Sequence, residues 1–189
     1  MSDLRVRQRG GSGQVIEVTP ESAGWTYVGF GLWKLNAGDT AKGYEAERET
    51  CLVFVSGRGR VKAGTEDLGA IGERTSPFEG KPWSVYVPAG TGWSVTASES
   101  AEIAVCTSPG SGRLGARVIP PGELAQETRG EGSNTRHVTN ILPEWEPAES
   151  LLVVEAEQDP AVAPSYAYAK KGYETLRRIV DKLSAGAAA

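Results

Sequence analysis

Apolar positions in this chain come in short runs, each closed by glycine or proline. The runs occupy residues 14–18, 26–35, 51–56, 58–63, 84–87, 92–97 and 102–106. They are rich in Val, Trp, Tyr, Phe and Thr, side chains that suit a pleated, half-buried surface. Turn chemistry separates them: NAGD at 36–39, SGRG at 56–59, PAGTG at 88–92 and SPGSG at 108–112. Many short strands at this spacing predict an antiparallel sandwich or barrel. Only the last stretch changes period. Tyr173, Leu176, Ile179, Val180 and Leu183 fall at i, i+3, i+6, i+7 and i+10, one apolar stripe on a helix over 172–184. The small-residue tail 185–189 is expected to fray.

Composition allows one medium core and plentiful turns. Of 189 residues, 39% are apolar, with 24 Gly and 11 Pro. Twenty Lys and Arg stand against 24 Asp and Glu, a net charge of −4, and no basic block appears. A nucleic-acid partner is therefore not expected. No apolar run approaches the roughly 18 residues of a membrane span. The opening MSDLRVRQRGGSG lacks the apolar centre of a signal peptide, so a cytoplasmic protein is expected. Cys51 and Cys106 lie in the apolar runs TCLVFV and IAVCT and read as buried small hydrophobes, with no CxxC pattern.

One spacing carries more than composition. From Gly38 to Gly57 the chain reads G-x5-Y-x-A-x3-T-x6-G, and Pro88 to Trp93 reads P-x-G-x2-W. These frames resemble those of the cupin superfamily of jelly rolls, G-x5-H-x-H-x3-E-x6-G and P-x-G-x2-H. The turn positions Gly38, Gly57, Pro88 and Gly90 match. The ligand positions hold Tyr44, Ala46, Thr50 and Trp93 instead. A divalent metal there needs imidazoles and a carboxylate converging at about 2.0–2.2 Å, which Ala46 and Trp93 cannot supply. Trp93 is expected to fill the barrel mouth with apolar bulk.

A second resemblance runs through VTPESAGWTYVGF (18–30), CLVFVSGRGRV (51–61), PFEGKPWSVYVPAGT (77–91), GEGSNTRHVTNILPE (130–144) and LLVVEAE (151–157). In this order the stretches resemble the first half of the 5-deoxy-glucuronate isomerases, the bicupin enzymes of myo-inositol breakdown named IolB in bacteria. The resemblance implies an aldose–ketose isomerisation of 5-deoxy-D-glucuronate to 5-dehydro-2-deoxy-D-gluconate. Such chemistry moves a proton between adjacent carbons while an electrophile polarises the carbonyl. It also implies a divalent metal held in a second cupin by a His-x-His pair, a Glu and a later His. Here SYAYAKKG at 165–172 places Ala169 and Lys171 at the two histidine positions. No metal site and no cofactor are therefore expected of this chain.

The single histidine, His137, sits beside Asn134, Arg136 and Asn140 in GSNTRHVTNILPE. The stretch reads as a loop hinge between two cupin units. His137 has the chemistry of a base or lone ligand, Arg136 offers a planar fork for a carboxylate, and Asn134 and Asn140 can bond sugar hydroxyls. The bland alternative has the Asn and Ser/Thr side chains capping turns and Arg136 paired with an acid. The charged run Glu45, Glu47, Arg48 and Glu49 reads as a solvated loop. Trp25, Trp33, Trp83, Trp93 and Trp145 read either as a sugar-binding face or, for at least three of them, as packing.

The expected architecture is an all-β cupin jelly roll over 1–147, the start of a second cupin over 148–171, and a helix with its tail over 172–189. Three functional readings stay open: an isomerase of the resembled family, a non-catalytic cupin that binds a sugar acid or a partner subunit, and a truncated product. A homo-oligomer is compatible with each of them.

Overall fold

The structure is a computed structural model in which residues 6–131 and 135–158 are described. Its larger sheet has six strands in the order β1 (Gly13–Val18), β2 (Gly29–Leu35), β9 (Ala101–Pro109), β4 (Arg48–Ser56), β7 (Ser84–Val87) and β10 (Arg117–Ile119). A four-stranded sheet has the order β3 (Thr40–Gly43), β8 (Trp93–Ala97), β5 (Gly59–Ala63) and β6 (Glu66–Ile71). The pairings within both sheets are antiparallel. A third sheet has the order β11 (Ala125–Arg129), β12 (Arg136–Leu142) and β13 (Val153–Gln158). The described residues separate into two units, 6–126 with 139–155, and 127–131 and 135–138 with 156–158.

Strand parity explains the core of the first unit. In β4, Leu52 and Phe54 point between the two larger sheets, where they meet Val61, Val95, Ile103 and Val85. Cys51 and Val53 point the other way, into a second cluster with Tyr86, Ile141, Leu142 and Leu151. Both faces of β4 are covered, so its sequence is a continuous apolar run rather than an alternating one. Cys51 lies directly opposite Cys106 across β4 and β9, and both thiols are free. Burial pushes both up, Cys106 to about 11. Two antiparallel sheets around one apolar core make the all-β cupin fold that the sequence predicts.

The turn glycines are placed by necessity at Gly57. Its φ is +79°, and a Cβ there would lie 2.2 Å from the Ser100 carbonyl oxygen. The seven predicted strands correspond to β1, β2, β4, β5, β7, β8 and β9, with ends moved by up to three residues. The sequence reading missed β3, β6 and β10 to β13. β6 contains Gly69, and β11 is exposed at all five residues, so neither shows an apolar rhythm. It also missed one helical turn, α1 (Pro20–Ala23), closed by reciprocal bonds between Thr19 and Ser22. Among the described residues no helix is long and apolar enough to cross a membrane. The expected helix at 172–184, the tail at 185–189 and the segment 165–172 lie outside the described residues.

Candidate functional site

At one end of the sandwich the inner face of the larger sheet turns polar. Gly29, Thr107, Thr50 and Val87 stand in one cross-strand row. The next row, Gly31, Val105, Leu52 and Val85, is apolar apart from its glycine. Above the polar row opens a cavity of about 340 Å³, walled by Trp33, Trp93, Tyr44, Arg48 and Gln14. That volume is at the small end of small-molecule sites. Glycine keeps it open at two places. A Cβ on Gly29 would lie 2.5 Å from Thr107 Oγ1, and one on Gly43 would lie 2.7 Å from Trp93 Cζ2. The indole of Trp93 can therefore lie flat against β3 at the cavity wall.

Arg48 is half-buried at this mouth. Its Nε donates to Thr107 Oγ1 at 3.1 Å, and its Nη2 donates to the Thr107 carbonyl at 3.1 Å and to the Tyr27 carbonyl. Among the described residues it forms no ion pair with a carboxylate. The exposed rim carries Glu17, Glu21 and Lys42. The Glu21 carboxyl is held below its ordinary value by its own backbone N–H first, then by the Thr19 hydroxyl, and least by Arg48.

The four positions that hold metal ligands in the resembled cupin frames do not make a ligand set here. Tyr44 is 63% exposed on the rim, Trp93 is core, and Ala46 has no donor atom. Of the four, only Tyr44 and Thr50 bring an oxygen to the cavity lining. Among the described residues no three His, Cys, Asp or Glu side chains group to bind an ion. The donor chemistry does not fit a divalent metal at this mouth. Trp93 fills the barrel end as the sequence predicts. Trp33 and Trp83 also pack on the core, whereas Trp25 and Trp145 are exposed.

The charged run at 45–49 is not a solvated loop throughout, which corrects the sequence reading. β4 begins at Arg48, and Glu49 is fully buried. Its Oε1 accepts from Ser108 Oγ at 3.2 Å and from the N–H groups of Ser150 and Leu151 at 2.6 and 2.5 Å. Its Oε2 accepts from Tyr86 Oη at 2.7 Å and from the Glu149 N–H at 2.8 Å. Five donors thus satisfy a carboxylate that would otherwise be prohibitive to bury. Burial first, and this carboxylate second, push the Tyr86 hydroxyl well above its ordinary value. A second anchor lies further along the same segment. Arg74, 7% exposed, forks onto Glu155 with Nη1–Oε2 at 2.8 Å and Nη2–Oε1 at 2.5 Å, and donates to the carbonyls of Phe54, Pro77 and Gly80. Sequence parity was the available signal for Glu49: it shares a strand face with Cys51 and Val53, not with Thr50.

Asn134 lies outside the described residues. Arg136, His137 and Asn140 are on β12, not in a hinge loop. Alternate residues of a strand face opposite sides, so His137 does not share a face with Arg136 or Asn140. His137 is exposed, and its Nδ1 sits 3.3 Å from Thr128 Oγ1. Arg136 and Asn140 are both half-buried and partnered.

A family model described as the KduI/IolB family matches residues 4–168. A 5-deoxy-glucuronate isomerase of Geobacillus kaustophilus (strain HTA426) is 47% identical over 144 residues, which is 76% of this chain and 52% of that protein. A protein of the same name from Bacillus subtilis (strain 168) is 37% identical over 164 residues, 86% of this chain and 60% of its own length. Among solved structures, the crystal structure of an IolB-like protein from Salmonella typhimurium LT2 is 46% identical with a TM-score of 0.76, covering 80% of this chain and 58% of that one. The chain spans between half and three-fifths of the length of these curated relatives.

Proposed function

The chain belongs to the KduI/IolB family, and from that premise we propose that it serves the isomerisation of 5-deoxy-D-glucuronate to 5-dehydro-2-deoxy-D-gluconate. The observation that carries this reading is 47% identity over 144 residues to a protein named for that reaction. Within the reading, the described barrel is a scaffold and binding domain. It has no ligand set for a divalent metal, and the family resemblance assigns that metal to a second cupin.

The donor set at the barrel mouth also favours a second reading. A cupin with Tyr44, Ala46, Thr50 and Trp93 at its ligand positions is suited to holding a sugar acid or a partner subunit without turning it over. One experiment separates the two. The purified chain is incubated with 5-deoxy-D-glucuronate, and the ketose product is followed by NMR while binding is measured in parallel. Product formation supports the isomerase reading. Binding without product supports the second. Neither binding nor product removes the isomerase reading for this chain alone and the sugar-acid form of the second.

A further inference from the structure

We infer that the mouth of this barrel is a binding site for a small polyhydroxylated carboxylate, a hexuronate-sized sugar acid, held in the place where other cupins hold a metal. The first observation is the cavity itself, about 340 Å³ behind Trp33, Trp93 and Tyr44. Flat aromatic walls suit the C–H faces of a sugar ring.

The second observation is independent of shape. Thr50 is 1% exposed and Trp93 6% exposed, and both line the cavity. Among the described residues the buried side-chain atoms without a hydrogen-bond partner are Ser84 Oγ and Arg117 Nη2; Thr50 Oγ1 and Trp93 Nε1 are not among them, and both residues line the cavity, where a ligand's hydroxyls could reach them. An indole N–H can only donate, while a threonine hydroxyl donates and accepts. Together they match the hydroxyls of a polyol. The same two residues stand at the cupin frame's Glu and His positions, so an organic ligand replaces the ion at one geometric place.

Charge assigns the carboxylate. Arg48 is half-buried, carries no ion pair among the described residues, and has its Nε and Nη2 engaged by Thr107 and Tyr27. Its orientation is therefore fixed before a ligand arrives. Three carboxylates also line the cavity: Glu17 and Glu21 are exposed, where solvent and salt screen them, and Glu45 is half-buried, so the anion is placed at Arg48 and away from Glu45. Gln14 supplies a further amide at the wall.

The choice of a hexuronate rests on the proposed family function; the location does not. The test is calorimetric titration of the full chain with D-glucuronate and, separately, with D-glucose. Saturable binding of D-glucuronate is expected, with D-glucose at least about tenfold weaker for want of the charge-assisted bond. Thr50→Val should lower the D-glucuronate affinity about fivefold to tenfold while the chain stays folded, because a ligand hydroxyl loses its partner there. Trp93→Phe keeps the wall and removes the N–H, with a similar loss; if it fails to fold, Thr50→Val decides alone. No saturable binding, equal affinity for D-glucose, or a Thr50→Val variant with unchanged affinity overturns the site. Turnover of 5-deoxy-D-glucuronate is scored separately. Turnover without D-glucuronate binding at this mouth sinks the site and leaves the isomerase reading. Binding here without turnover keeps the site and removes isomerase activity only for this chain acting alone.

Discussion

Replacing Glu49 by Gln changes one heavy atom in a buried site and should be among the most damaging substitutions in the described fold. The carboxylate accepts from five donors, three of them consecutive backbone N–H groups at 149–151. A glutamine offers one acceptor oxygen, and its NH2 group must then face donors. Whichever way the amide turns, two or three donors lose their acceptor. Each buried donor left unpaired costs about 1–3 kcal/mol, so the expected loss is about 3–5 kcal/mol. That is a large share of the roughly 5–15 kcal/mol that stabilises a domain. For a chain of this size it lowers the thermal midpoint by on the order of 10 °C. The assay is guanidinium unfolding followed by tryptophan fluorescence, with Tyr86→Phe beside it. Tyr86→Phe removes one donor and leaves four, and should cost only about 1–2 kcal/mol. A Glu49→Gln loss below about 1 kcal/mol, or one equal to that of Tyr86→Phe, refutes the reasoning.

Two further outcomes follow from the same packing. The Tyr86 hydroxyl is raised above its ordinary value of 10.0, so its contribution is fully present below pH 10 and is lost as pH rises beyond it; absorbance of tyrosinate and circular dichroism should show Tyr86 ionising together with unfolding, not before it. Arg74→Lys keeps the charge but not the fork that holds Glu155 and three carbonyls, and should cost about 3 kcal/mol or more in guanidinium unfolding.

Much of the barrel was legible because parity and turn chemistry agree. Gly38, Gly57, Pro88 and Gly90 mark turns, and the runs between them alternate or bury on both faces as β4 and β9 do. What was not legible lacks a local signature. β11 is wholly exposed, and β12 carries Arg136 and Asn140 among its apolar residues, so a strand there read as a polar hinge. Glu49 was misplaced because charge alone reads as solvent exposure. Its partners Tyr86, Ser108 and Ser150 are distant in sequence and come together only in the fold. The cavity was half legible. The cupin frame located Thr50 and Trp93, residue types that differ from the frame's Glu and His, but only the cross-strand row Gly29–Thr107–Thr50 shows that these positions leave polar groups around a space.

The most direct test of the account is a titration of the 15N-labelled chain with 5-deoxy-D-glucuronate. The account predicts saturable shifts at the Trp93 indole N–H and the amides of Arg48, Glu49 and Thr50, unchanged by a metal chelator. Absence of shifts, shifts confined to residues 135–142, or shifts at the mouth that vanish with the chelator contradict it.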